Sequence, residues 1–118
     1  MGDVGATPGQ LKELVDYCIE FARTMLKKKG DFHPFGTELK GSGQQTALGG
    51  WDGNEHPDPR DIYSILHDGV AGRARSGETI AAALAANVNV PPAYEAPYRD
   101  AIRIQLEARG NSRFIYFP

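Results

Sequence analysis

Residues 79–90, TIAAALAANVNV, constrain the fold of this chain most, because their composition suits a helix and their pattern suits a strand. Four of the five residues 81–85 are alanine, the strongest helix former. The larger apolar side chains, however, share one parity, as in Ile80, Leu84 and Val88. The other parity carries only alanine and asparagine. This alternation predicts a strand with one larger apolar face and one small face, which a helix could approach closely.

A helix with clear boundaries is predicted near the N-terminus. Thr7 suits the N-cap, Pro8 suits the first helical position, and Gln10 can complete a capping box. Apolar residues then recur at three- and four-residue steps, at Leu11, Leu14, Val15, Cys18, Ile19, Ala22, Met25 and Leu26. Three lysines at 27–29 followed by Gly30 predict the end of this helix.

The remaining elements are predicted from turn residues and apolar spacing. Gly41-Ser42-Gly43 separates two short strands, 37–40 and 44–48, that predict a hairpin. Asp58-Pro59 begins a second helix that ends near Ser76-Gly77. Its Gly69 and Gly72 would be explained if this helix packed against the alanine-lined face of the strand 79–90. Strict alternation over 102–109 and the turn 110–112 predict two further strands, the last being Phe114-Ile115-Tyr116-Phe117.

The predicted order of elements is therefore α-β-β-α-β-β-β, in one α+β domain spanning residues 1–118, with residues 1–6 expected to be disordered. We expect five antiparallel strands that follow one another as a meander, with both helices packed on one face of the sheet. This order resembles the profilin and roadblock group of folds, a likeness of topology that implies no particular function.

The segment between the first helix and the hairpin, Gly30-Asp31-Phe32-His33-Pro34-Phe35-Gly36, carries a second resemblance. Its G-x-F-x-P-F-G pattern resembles one found in small bacterial proteins, covers about the first third of the chain with its helix, and implies no activity. Taken residue by residue, the segment is best interpreted as a joint. Pro34 imposes an extended approach, Gly36 lets the backbone enter the strand, and Phe32 and Phe35 cover the end of the first helix.

Composition excludes several classes of function. The 118 residues are 41% hydrophobic and 24% charged, as in a soluble globular protein, and they contain no apolar run long enough for a bilayer. The first ten residues lack the features of a secretory signal, and the only cysteine, Cys18, cannot form an internal disulfide, so a cytoplasmic location is expected. A net charge of −2 argues against nucleic-acid binding.

Residues with catalytic potential do not form a recognisable motif. His33, His56 and His67 lie in separate segments without ligand spacing, so no metal or cofactor is predicted. The acidic stretch 51–61 is explained by a turn at Asp52, with Asp58 capping the second helix. Cys18 lies on an apolar helix stripe and is expected to be buried and inert. These observations argue against an enzyme.

Aromatic residues on predicted loops and on the last strand are the better candidates for function. Trp51, Tyr94 and Tyr98 lie in predicted loops rich in glycine or proline, where such rings often anchor protein interfaces. Tyr116 belongs to a terminal strand with aromatic residues on both faces. Such a strand is either central or an edge that pairs with a partner, and we expect dimerisation through it.

Two hypotheses follow from these candidates. The first is a non-enzymatic protein-binding module of the bacterial cytoplasm that forms a homodimer, with an immunity or inhibitor role as its specific form. The alternative is a small-molecule-binding or enzymatic domain whose pocket is lined by His33, Asp52 and His56. The first predicts an exposed aromatic patch, and the second predicts polar groups converging in a cavity.

Overall fold

The computed structural model describes residues 6–30, 32–49, 58–89, 100–108 and 111–117. It contains α1 (Pro8–Lys29), β1 (Phe35–Lys40), β2 (Gln45–Gly49), α2 (Pro59–Arg75), β3 (Thr79–Asn89), β4 (Asp100–Ala108) and β5 (Asn111–Phe117). The α+β class and the order of elements are confirmed, including a strand within the predicted range 79–90, where the structure describes Thr79–Asn89. Among these residues, no helix is both long and apolar enough to cross a membrane.

The ends of α1 follow the predicted signals. Thr7 Oγ1 accepts a hydrogen bond from the Gln10 backbone N–H at 3.1 Å, and the Gln10 side chain accepts one from the Thr7 N–H at 2.9 Å. Gly30 takes a left-handed conformation, with φ of 75°, and donates to the carbonyl of Leu26. The disorder predicted for residues 1–6 stays a prediction, because residues 1–5 lie outside the described part; Ala6, the first described residue, packs against the core.

The sheet has the strand order β2-β1-β3-β4-β5, and all of its pairs are antiparallel. The predicted meander is therefore wrong at one connection, because β3 pairs with β1 and not with β2. The burial of the two hairpin strands gives the reason. Five of the six residues of β1 are buried, whereas β2 alternates between exposed and partly buried positions. The strand suited to the interior takes two neighbours, and β2 remains at an edge.

The two helices lie on opposite faces of the sheet, so the prediction that they share one face is wrong. Consecutive residues of a strand point to opposite faces. The odd-numbered alanines of β3 belong to the same core as Leu14, Cys18 and Ala22 of α1. Ala82 and Leu84 of β3 form a second core with three residues of α2, namely Ile62, Leu66 and Val70. Small side chains on both parities allow both helices to approach β3.

The explanation predicted for the glycines of α2 is also wrong. The helix that packs on the alanine face of β3 is α1, which contributes its own small residues Cys18 and Ala22. A Cβ atom at Gly69 would lie 3.2 Å from the guanidinium of Arg73, and one at Gly72 would meet only Arg75. Gly69 thus leaves room for the Arg73 side chain, four residues later on the same side of the helix.

Gly36 has a packing role that the sequence did not reveal. A Cβ atom at this position would lie 2.5 Å from the carbonyl oxygen of Ala83 and 2.6 Å from Cδ2 of Leu84. The first of these neighbours is backbone of the central strand, so it cannot move aside without disturbing the pairing of β1 with β3. The requirement for glycine here is therefore steric and does not come from the entry into the strand.

We predict that Gly36→Ala lowers the free energy of unfolding by about 2 kcal/mol, because the added methyl group overpacks the contact between β1 and β3. Gly49→Ala is the matched control, since a Cβ atom there meets nothing within 4 Å. Urea unfolding of both variants checks the prediction. Equal stabilities of the two variants would contradict it.

Candidate functional site

The predicted site residues divide into two groups. Trp51, Asp52, His56, Tyr94 and Tyr98 lie outside the described residues, so the loop anchors and two of the three pocket residues stay predictions. His33 and Tyr116 are described and lie apart in the sheet: His33 lies two residues before β1, and Tyr116 lies on β5, with β3 and β4 between these two strands.

The FHPFG segment packs as the sequence predicted. Phe32 and Phe35 are buried, with their ring centroids 5.6 Å apart, and the ring of Phe35 lies 4.7 Å from that of Phe21 on α1. His33 is exposed and lines an apolar hollow of about 370 Å³, together with Phe21, Met25 and Lys29. No carboxylate is among the described residues that line this hollow, so it holds no described partner for acid–base catalysis by His33.

The most buried charge among the described residues is one that the sequence did not single out. The side chain of Glu38 on β1 is 2% exposed, and it lies on the face of the sheet that α2 covers. Arg73 Nε of α2 lies 2.9 and 3.0 Å from its two oxygens. Lys40 Nζ donates at 2.7 Å and Thr79 Oγ1 of β3 at 2.9 Å. Lys40 also binds Glu78 at 2.7 Å.

This cluster joins α2 to β1 and β3. Burial raises the pKa of Glu38, but hydrogen bonds from Lys40, Arg73 and Thr79, with the charge of Arg73, outweigh burial and lower the pKa below its ordinary value. The carboxylate is therefore ionised at neutral pH and has donors on both oxygens. We interpret it as a structural clamp, because a fully paired carboxylate is poorly suited to accept a substrate proton.

A second cluster lies on the same face of the sheet, over β4 and β5. Arg103 Cζ lies 5.1 Å from the ring centroid of Tyr63 on α2 and 4.8 Å from that of Phe114 on β5. The Tyr63 hydroxyl donates to Gln105 Oε1, and Gln105 Nε2 donates to Glu107 at 2.8 Å. Burial raises the pKa of Tyr63 above its ordinary value despite the nearby charge of Arg103, so the phenol remains a neutral donor.

The Arg103 cluster borders a cavity of about 450 Å³ at the N-terminal end of α2. Its polar lining comes from Arg60, Tyr63, Asn87 and Arg103, and its apolar lining includes Phe32 and Val88. Arg103 alternates with apolar residues along β4, so the sequence predicted only a half-exposed strand there. The strand pairing explains the space at this site. Arg103 on β4 lies opposite Ala86 on β3, and the small side chain of Ala86 leaves room above the sheet.

Strand β5 is the outer strand of the described sheet on the side of β4. Within the described part of the chain, β5 pairs only with β4. Phe114 is 52% exposed, and Ile115, Tyr116 and Phe117 are each partly exposed. Its four consecutive apolar or aromatic residues contrast with the opposite edge, where β2 exposes Gln45, Ala47 and Gly49. The edge that the sequence suggested therefore exists, with Phe114 and Tyr116 on one face.

Comparison with protein-family models, with curated proteins and with solved structures found no significant match. The resemblances to the profilin and roadblock folds and to the bacterial G-x-F-x-P-F-G pattern thus stay predictions. Among the described residues, no group of three or more histidine, cysteine or acidic side chains could hold a metal ion. Function must therefore be argued from the edge strand and from the Arg103 cluster.

We predict that Glu38→Gln lowers the free energy of unfolding by about 2 kcal/mol at neutral pH, less than for a fully buried pair because Arg73 and Lys40 are partly hydrated. The matched control is Glu78→Gln, which removes only an exposed contact with Lys40 and should cost under about 0.5 kcal/mol. Urea unfolding measures both differences.

The loss caused by Glu38→Gln should also depend on pH. Because folding lowers the pKa of Glu38, its ionised form stabilises the fold above the ordinary pKa of 4.5, and this stabilisation is lost as the pH falls through the folded-state pKa. The difference in stability between the wild type and the variant should therefore shrink in acid. A difference that stays constant from neutral pH into acid would contradict the role assigned to this carboxylate.

We predict that Cys18 does not react with thiol reagents in the folded protein. It is fully buried, its Sγ lies 3.8 Å from the carbonyl oxygen of Ala83, and burial raises its pKa to about 12. The thiolate is therefore scarce at any pH where the fold is stable. Labelling should follow global unfolding in urea, measured by mass spectrometry, and fast labelling without urea would contradict this prediction.

Proposed function

We propose that this protein is a non-enzymatic protein-binding module that forms a homodimer through β5. The observation that carries the proposal is the position of β5 as an outer strand of the described sheet, combined with the exposure of Phe114. An outer strand with few charges and exposed apolar side chains is a template for pairing with another strand.

The sequence of β5 is suited to pairing with itself. An antiparallel pair of β5 strands centred on Ile115 places Phe114 opposite the partner's Tyr116, and Arg113 opposite the partner's Phe117. Aromatic pairs stabilise neighbouring strands, and no like charges oppose each other within residues 113–117. The result is a continuous sheet of ten strands across a two-fold axis.

The geometry of the other edge supports the choice of β5. The five-residue β2 is shorter than the seven-residue β5, and its exposed side chains are small or polar. Proteins commonly make an edge strand short and polar where that edge does not pair with another chain. The immunity or inhibitor role, which requires a second kind of protein, stays a narrower prediction within this proposal.

We predict a mass of twice 12.8 kDa for the protein at micromolar concentration, measured by sedimentation equilibrium. Ile115→Lys should weaken the dimer roughly 30-fold or more, because it places two lysines opposite each other at the two-fold axis. The lysine stem can still cover the apolar surface below it, so circular dichroism should report an intact fold.

The matched control for this experiment is Ala47→Lys, which adds the same charge at the exposed edge strand β2 and should leave the dimer unchanged. A wild-type protein that sediments as a monomer at all concentrations would refute the proposal. Equal weakening by both lysines would also count against it, since it would indicate a general effect of charge.

A further inference from the structure

Arg103 has a hydrogen-bonding group that the described residues leave unused. Its Nε atom is buried, and it has no hydrogen-bond partner in the described structure. No described carboxylate lies within ion-pair distance of its guanidinium, although the group is held against the rings of Tyr63 and Phe114. A buried polar group without a partner is rare in folded proteins, and it often marks the place of a ligand.

Aromatic side chains, and not acids, hold the guanidinium of Arg103 among the described residues. Tyr63 contributes both its ring and a side-chain hydrogen bond with Arg103. The ring of Tyr63 is fixed by its hydroxyl, which donates to Gln105. Glu107, the nearest acid on the same face of β4, is occupied by hydrogen bonds from Gln105 and Ser112 at 2.8 Å each. Tyr63 and Phe114 thus orient the guanidinium, and no described carboxylate neutralises its charge.

Among the described residues that line the adjacent cavity, one positive charge has no acidic partner. Arg60, the other arginine in the lining, forms a pair with Asp58, with Nη2 3.2 Å from Oδ2, and Asp58 also caps α2. The second lining arginine, Arg103, forms no ion pair with a described acid. The N-terminal end of α2 adds partial positive charge at the same end of the cavity.

From these observations we propose that the cavity at the N-terminal end of α2 binds a small organic carboxylate with an apolar body, whose carboxylate pairs with the guanidinium of Arg103. One unbalanced cation matches a monoanion, and the planar guanidinium matches a carboxylate in bidentate geometry. Phe32 and Val88 supply walls for the apolar body. A volume of about 450 Å³ lies within the range of small-molecule sites.

Inorganic phosphate is a less suitable occupant than a carboxylate. A phosphate dianion needs several converging donors and at least two balancing charges, whereas Arg60 is already paired and most of the remaining lining is apolar. The chemistry of the lining therefore favours a monoanion that buries an apolar group over a small, fully hydrated anion.

The test is a titration of the ¹⁵N-labelled protein with phenylacetate, followed by amide NMR shifts. We expect saturable shifts at Tyr63, Ala86 and Val88, and an affinity at least about 10-fold above that of the neutral isostere phenylacetamide. Arg103→Met, which keeps the length of the side chain but not its charge, should remove this preference. Arg103→Lys should bind more weakly than the wild type while folding like it, because it lacks the planar fork.

Arg75→Ala is the matched control, and it should leave phenylacetate binding within about threefold, since Arg75 is exposed at the C-terminal end of α2 and does not line the cavity. The proposal is overturned if phenylacetate at millimolar concentration causes no shift at these amides, or if phenylacetamide binds equally well. Shifts with inorganic phosphate but none with phenylacetate would overturn the carboxylate class. If Arg103→Met does not fold, the folded Arg103→Lys variant decides the question: it should bind phenylacetate more weakly than the wild type and phenylacetamide equally well, and unchanged phenylacetate binding would overturn the proposal.

Discussion

The rest of this structure depends on a central strand, β3, whose side chains are small on both faces of the sheet. Residues 81–86 of β3 are all buried, and five of these six residues are alanine. Because successive side chains point to opposite faces, the same strand can accept α1 on one face and α2 on the other. Small side chains here bring the helices close, as the 3.8 Å contact of Cys18 Sγ with the Ala83 carbonyl shows.

Close packing at β3 places strict demands on its neighbours. Gly36 on β1 has no room for a side chain, since the backbone of Ala83 and the side chain of Leu84 fill that position. Two residues after Gly36, on the face of β1 that α2 covers, Glu38 accepts hydrogen bonds from Arg73 and Thr79. Apolar packing and a paired buried charge thus fix the same helix on the same two strands.

The position of α2 determines where function can lie. Because α2 packs on β1 and β3, the same face of β4 and β5 is free to carry the polar row of Arg103, Gln105 and Glu107. The side chain of Tyr63, at the N-terminal end of α2, reaches this row and closes one side of it. The cavity and the exposed aromatic strand are therefore two parts of the surface that the helices leave uncovered.

The sequence predicted the elements well because their signals are local. Thr7, Pro8 and Gly30 define α1 through hydrogen bonds within a few residues, and the parity of Ile80 and Leu84 was enough to distinguish a strand from a helix. The strand order and the faces of the helices could not be predicted in this way. Alanine occupies both parities of β3, so the pattern gives no indication of which helix covers which face.

The candidate site escaped prediction for a related reason. An arginine in a strictly alternating strand has the pattern of a solvent-facing position, and only tertiary structure brings Tyr63 and Phe114 against Arg103. Glu38 likewise has the pattern of an exposed residue in a hairpin, and its burial depends on Arg73, which lies 35 residues further along the chain. Tyr116 was selected because its strand is aromatic on both faces, a property of the sequence alone, and its role in binding a partner stays a prediction.

The proposed interface and the proposed ligand site meet at Phe114. This ring lies against the guanidinium of Arg103, and it also belongs to the row of β5 that would face a partner's Tyr116. Pairing at the edge would restrict Phe114, and a carboxylate bound to Arg103 would restrict the same ring from the other side. Because linkage is reciprocal, any effect of ligand on the dimer must equal the effect of dimerisation on the affinity for ligand. Ile115 lies on the opposite face of β5 from Phe114, so Ile115→Lys weakens the dimer without altering the ligand site directly, and any change that it causes in ligand affinity measures this coupling.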